Sequence, residues 1–282
     1  MSQFTLTLFC PDRKGIVNAV AAFLVQQDCN ITDSAQFGDI ATGKFFMRVS
    51  IDAQNSQSVS SLTKAFAPVS ESYSMQATFH DSAKKARVAI MVSKHGHCLN
   101  DLLYRHRMGA LRIEIPVIIS NHRDHYKLAA SQDIPFQYLP VTPESKVKQE
   151  ARLMEIIQEE QCDLVVLARY MQILSPSLCA SLAGRAINIH HSFLPSFKGA
   201  KPYRQAHDRG VKLIGATAHY VTADLDDGPI IEQDVARVDH RASVDECAAI
   251  GHYVESAVLA RAVQWHVEHK ILLNGNRTIV FG

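Results

Sequence analysis

Residues 186–195 read Ala-Ile-Asn-Ile-His-His-Ser-Phe-Leu-Pro. A short apolar run ends in a carboxamide and an imidazole two positions apart. Side chains alternate along a strand, so Asn188 and His190 share one face and His191 is directed to the other. Further on, an apolar segment at 216–221 leads into a loop with three carboxylates, Asp224, Asp226 and Asp227. A neutral donor, a titratable donor and a carboxylate gathered at strand ends suit acyl-group chemistry at a carbonyl.

The chain around this stretch alternates between strand and helix patterns. Strands are expected at 88–92, 113–119, 136–139, 163–167, 186–189 and 214–221. Helices are expected at 99–106, near His125, at 144–160 and at 244–269. Such alternation implies an α/β fold, Rossmann-like, with a mainly parallel sheet covered by helices on both faces. Ligands of such sheets sit beyond the C-terminal strand ends, which is where Asn188 and His190 stand.

The first 82 residues carry a different pattern. Residues 4–9 alternate as a strand, and Pro11-Asp-Arg-Lys-Gly15 is a turn. Ile16, Val17, Val20, Phe23 and Leu24 then recur at the spacing of one helix face. Strands at 30–37 and 45–51, a helix at 59–66 and a strand at 72–79 complete a ferredoxin-like βαββαβ order. The polar stretch at 83–86 reads as a linker, which gives domains at 1–82 and 87–282.

The balance of 29 basic and 28 acidic residues argues against a nucleic-acid or acidic-membrane surface. No apolar run approaches the roughly 20 residues a membrane helix needs, and with no basic segment and apolar stretch visible ahead of the first strand, no secretory signal is expected. Six scattered cysteines without a C-x-x-C pair read as reduced thiols of a cytoplasmic protein. Neither a G-x-x-x-x-G-K-[ST] loop nor a G-x-G-x-x-G fingerprint is present, so nucleotide use finds no support. The histidines lack metal-ligand spacing, and an ion at His190 and Asp226 leaves Asn188 unexplained. No metal and no prosthetic group are expected.

Two resemblances add to this reading. Asn188, His190, Ser192, Leu194 and Pro195, followed by His219, Val221, Leu225, Asp226, Gly228 and Pro229, resemble the signature of the folate-dependent formyltransferase family. The likeness covers residue 87 to the C-terminus. It implies that Asn188, His190 and Asp226 are catalytic and that the substrate is 10-formyltetrahydrofolate. It also implies that Met171, Gln172, Ile173 and Leu174 line a pterin pocket. Gln172 stands where related transferases often carry Arg. His219 is a further candidate beside Asp226, and Lys198 a candidate anchor for an anion. The loop 93–98, with His95, His97 and Cys98, departs from the transferases' phosphate-holding form. The resemblance therefore favours the branch that hydrolyses the formyl group to tetrahydrofolate and formate, supplying formate for purine synthesis and balancing the one-carbon folate pool. The alternative is transfer to glycinamide ribonucleotide, and a third reading is a folate-sensing regulatory protein without turnover.

Residues 1–82 resemble an ACT domain, with Asp12, Gly15 and Ile16 at the first strand-to-helix turn and Asn30 and Ile31 opening the second strand. A helix N-terminus offers free backbone N–H groups to a carboxylate. Asp12 either serves such a ligand site or caps the helix, with Gly15 relieving crowding. The resemblance implies an amino-acid effector, glycine or methionine, and a homo-oligomer.

Overall fold

The structure is a computed structural model and describes residues 2–53, 57–194 and 202–282. The chain forms two compact units. One is built on residues up to 85 with 268–274 and 279–282, the other on 86–267 with 275–278.

The first unit runs β1 (Ser2–Pro11), α1 (Ile16–Gln26), β2 (Asn30–Asp39), β3 (Lys44–Ala53), α2 (Val59–Tyr73) and β4 (Gln76–Asp81). The sheet order is β2-β3-β1-β4 and every pair is antiparallel. Both helices pack on the sheet through one apolar stripe. Ile16, Val20, Phe23 and Leu24 of α1 meet Leu62 and Phe66 of α2 over Leu6, Leu8 and Val49. Each such side chain, fully buried, stabilises by roughly 1.5–3 kcal/mol. Val17, included in the predicted stripe, is 41% exposed. The fourth strand starts later than the sequence implies because α2 continues to Tyr73 and ends at Ser74 in the left-handed region.

The second unit runs β5 (Ala86–Val92), α3 (His97–Arg107), β6 (Ile113–Glu114), β7 (Ile118–Ser120), α4 (Tyr126–Ala130), β8 (Phe136–Tyr138) and α5 (Lys146–Glu159). It continues with β9 (Leu164–Leu167), α6 (Pro176–Ser181), β10 (Ala186–His190), α7 (Pro202–Asp208), β11 (Leu213–Tyr220), β12 (Ile230–Arg237) and α8 (Val244–Val267). Sheet order is β12-β11-β10-β9-β5-β7-β8. The strands β10 to β8 along this path are parallel, and β11 and β12 are antiparallel to their neighbours. The strand predicted at 113–119 divides into β6 and β7. Pro116 between them has no N–H to give to a ladder. The short helices α6 and α7 and the strand β12 were not expected. Strand order reverses at β5 and β9, so the segments following these strands part at the sheet's C-terminal edge.

After α8, β13 (Ile271–Asn274) and β14 (Arg277–Val280) form a two-stranded ribbon that turns at Gly275, whose φ is +62°. Asn274 donates from Nδ2 to Asp39 Oδ2 at 2.7 Å, within the first unit. That unit thus includes chain from beyond residue 267, which differs from the division at 83–86. A linear reading has no means of seeing such a return. Among the described residues, no helix is long and apolar enough to cross a membrane. All six cysteines are free and buried.

Candidate active site

Strand register assembles the site. β10 is parallel to β9, with Asn188 opposite Leu167, and antiparallel to β11, with Asn188 opposite His219. The Asn188 amide donates from Nδ2 to His219 Nε2 at 3.2 Å, and His219 Nδ1 donates to the Tyr220 carbonyl at 2.9 Å. A carbonyl only accepts and an amide nitrogen only donates. These partners therefore place the His219 proton on Nδ1 and a lone pair on Nε2. The second N–H of Asn188 is left for a ligand. Thr217 lies opposite His190 and fixes the chain that follows, donating to the Ser192 carbonyl at 3.0 Å and accepting from the Leu194 N–H at 3.1 Å.

The loop after β11 presents the carboxylate. Tyr220 N–H donates to the Pro229 carbonyl at 3.0 Å, closing the neck of the loop. A Cβ on Gly228 would lie 1.7 Å from the Tyr220 carbonyl oxygen, so only glycine permits this approach. Asp226 has φ +55°, a conformation that Asp and Asn tolerate better than most residues. Its Oδ2 lies 3.2 Å from His190 Nδ1 and its Oδ1 lies 3.8 Å from His219 Nε2. The first contact orients the imidazole. The second is too long for a hydrogen bond. Burial alone would raise the Asp226 pKa, but the hydrogen bond from His190 outweighs it and holds the carboxyl well below the usual carboxylate range. The other His190 nitrogen, Nε2, lies 2.8 Å from Ser192 Oγ.

Asn188, His190, His219 and Asp226 open into a cavity of about 240 Å³. Met171, Gln172, Ile173 and Leu174 also line it, so the predicted pocket residues converge with the predicted catalytic ones. Met171 and Ile173 are 55% and 62% exposed, which offers apolar surface to a flat ring. The segment is held from behind by Ser93, which receives the Met171 N–H on Oγ at 2.9 Å and gives its own N–H to the Arg169 carbonyl at 3.2 Å. His191, directed away by alternation, instead lines the same cavity, its ring centroid 4.9 Å from that of His190. β10 ends at His190, so strand alternation no longer governs the next residue. Lys198 lies outside the described residues.

The candidate residues of the first unit do not gather. Gly15 is the N-cap of α1, with φ +95°, and a Cβ there would meet the Tyr73 hydroxyl at 2.9 Å. No side chain caps this helix, so Asp12 is not its cap. Asp12 Oδ2 lies 3.1 Å from where a Cβ on Gly38 would stand, near the end of β2. Ile16 is buried in the core. Asn30 and Ile31 open β2 at its other end, roughly 25 Å away at about 3.3 Å per residue.

A family model described as Formyl transferase matches residues 86–263, and one described as ACT domain matches 2–80. A formyltetrahydrofolate deformylase of Bacillus subtilis is 47% identical over 278 residues, covering 98% of this chain and 93% of that protein. The chain belongs to the formyltetrahydrofolate deformylase family. The crystal structure of a deformylase from Burkholderia mallei matches with a TM-score of 0.95 at 50% identity, each chain covered in full. A glycinamide ribonucleotide transformylase of Symbiobacterium toebii is a more distant relative, with 29% identity and a TM-score of 0.66 over 72% of this chain and 97% of its own.

Sequence reasoning missed one polar cluster in this deformylase-family chain. Arg169 lines the cavity, and Glu255 of α8 is fully buried beside it, 3.3 Å from Arg169 Nη1 and 2.8 Å from His97 Nε2. The Tyr203 hydroxyl donates to the other Glu255 oxygen. Burial would raise the Glu255 pKa, yet the His97 hydrogen bond and the Arg169 charge bring it down to about 2. A signal was present. Glu255 falls among the buried Gly251, Val258, Leu259 and Ala262 at helical spacing, a carboxylate on an apolar stripe.

Proposed function

We propose that this chain hydrolyses 10-formyltetrahydrofolate to tetrahydrofolate and formate, with Asn188, His190 and Asp226 as the catalytic residues. The observation that carries the reading is the Asp226–His190 pair beside the free Asn188 amide N–H, all facing one cavity with an apolar mouth. Asp226, held ionised, accepts a hydrogen bond from the attacking water and another from His190 Nδ1–H. Water oxygen bonds to the formyl carbon as the carbonyl π pair moves to oxygen. The spare Asn188 N–H stabilises that oxyanion, and His190 in its imidazolium form, with Nδ1–H on Asp226, exchanges Ser192 for substrate and gives a second hydrogen bond from Nε2–H. Collapse breaks the bond from carbon to N10. N10 takes a proton, formate leaves as the carboxylate, and one proton passes to solvent. Met171 and Ile173 pack on the pterin ring, with Gln172 and Leu174 beside them, and His219 orients the Asn188 amide.

The amino-acid regulation rests on the domain pairing, and the other finer parts on the family resemblance and the composition. Formate release supplies purine synthesis and balances the one-carbon pool. An amino acid, glycine or methionine, binds the ACT unit at the turn that carries Asp12, Gly15 and Ile16; Asn30 and Ile31, at the other end of β2, do not reach the same molecule within one chain. The protein is a cytoplasmic homo-oligomer. Lys198 holds the folate's anionic tail. The test is formate release from 10-formyltetrahydrofolate with and without each amino acid. No effect of either amino acid on rate or binding removes the regulatory reading, and no formate removes the hydrolytic one.

A further inference from the structure

Five side-chain nitrogens among the described residues are buried without a hydrogen-bond partner, and two of them belong to residues that line the catalytic cavity: Arg169 Nε and His191 Nδ1. Arg169 is 6% exposed and carries five N–H donors, of which one faces Glu255. Its backbone has φ +64°, uncommon for a residue with a side chain. His191 is pushed down to about 4 by burial, then by the charges of Arg169 and His190, so it stays neutral and can donate from either nitrogen. A buried ion pair is weak evidence for a stability role, because the desolvation of both charges offsets their attraction. A guanidinium with spare donors and a neutral imidazole, on two residues that line the cavity where a carboxylate is released, match a small planar anion.

We propose that Arg169 and His191 form a subsite for formate, with Glu255 as the residue that positions the guanidinium. The ligand class is a small carboxylate, and the subsite receives the product as the carbon–nitrogen bond breaks. Glu255 is suited to this task because both its oxygens are occupied, one by His97 and Arg169 and the other by Tyr203. Glu255 thus holds Arg169 at one nitrogen and leaves Nε without a protein partner. Glu255, His97 and His252 offer ligand atoms within 4.8 Å of one another, but the Arg169 cation on the same carboxylate opposes a metal ion there.

The identity of the anion as product rests on the proposed hydrolysis, so the subsite is read by equilibrium binding, separately from turnover. Formate, and nitrate as a planar isostere, are titrated calorimetrically into the full chain saturated with tetrahydrofolate. Arg169→Gln is expected to weaken both by about 10- to 100-fold, the range for hydrogen bonds to a charged partner, with tetrahydrofolate affinity retained. Arg169→Lys keeps the charge but loses the fork, and recovers part of the affinity. If Arg169→Gln does not fold, the Arg169→Gln/Glu255→Gln pair removes both charges together and takes its place, with the same weakening expected. Unchanged formate affinity in the variants, or no formate binding by the unaltered chain, overturns the subsite. Absence of formate production from 10-formyltetrahydrofolate overturns the proposed function and leaves the binding result to be judged by itself.

Discussion

In the second unit, Asn188, His190, His219 and Asp226 each lie within 3.8 Å of another member of the set. In the first unit, Asp12, Gly15 and Ile16 lie near one end of β2, while Asn30 and Ile31 lie at its beginning. The difference follows from topology. Asn188 and His219 are partners across one antiparallel pair, and a loop closed at Tyr220 and Pro229 brings Asp226 back over them. In the βαββαβ unit, consecutive connections fall at alternate ends of the sheet. The turn before α1 and the turn after it are therefore separated by the length of that helix. A constellation drawn from neighbouring strands at one edge converges within a single chain. One drawn from successive turns does not.

The contrast predicts effects of different size in the two units. Asp226→Asn should be the most damaging change, lowering kcat by roughly 10²–10⁴, the range of a positioned acid–base group. Asn is the suitable replacement because it accepts the positive φ of this position, so circular dichroism should be unchanged while formate release collapses. Asn188→Ala should cost on the order of 10²–10³ in kcat, the loss typical of an oxyanion donor, with little change in folate affinity. A rate near that of the unaltered chain in either variant would separate the convergence of these side chains from catalysis.

Gly15→Val tests the first unit. The +95° φ and the 2.9 Å approach to Tyr73 should destabilise the chain by about 1–3 kcal/mol in chemical denaturation. Asp12→Ala should be the mildest, within about 0.5 kcal/mol in stability, because no helix-cap hydrogen bond is lost. Under the proposed regulation, the same change abolishes binding of the amino-acid effector. If Asp12→Ala leaves glycine and methionine binding as it was, the residue has no part in a ligand site.

The pH dependence of the second unit follows from Asp226. Its folded pKa is depressed. Its contribution to stability is therefore complete above the ordinary carboxylate pKa of about 4 and is lost as pH falls below that value. Asp226 remains ionised across pH 5–8, so kcat/KM should show no acid limb from it in that window. An acid limb that vanishes in Asp226→Asn would contradict the depressed pKa.

Most of the fold can be read in the chain. Period-two and three-to-four apolar spacing mark the strands and helices of both units. Asn188, His190 and Asp226 stand out because Gly228 and Pro229 impose a loop geometry that unrelated sequence seldom carries. What escapes has definite physical causes. Pro116 splits a strand whose apolar pattern continues through it. His191 faces the cavity because the strand stops one residue earlier. Arg169 and Glu255 are paired across 86 positions of chain, since 255 − 169 = 86, and only tertiary packing brings them together. The opposite placement of Asp12 and Asn30 follows from the βαββαβ order, which sets the end of β1 and the start of β2 at opposite ends of the sheet, whereas the short motif joins them.

The most direct measurement is formate release from 10-formyltetrahydrofolate by the purified chain with no acceptor present, run beside Asp226→Asn at matched folate occupancy. Sustained multiple-turnover formate production that is lost in Asp226→Asn, with tetrahydrofolate binding retained, is the predicted result. Equal formate production by both proteins, or none from either until an amine acceptor is added, would contradict hydrolysis at the Asn188–His190–Asp226 site.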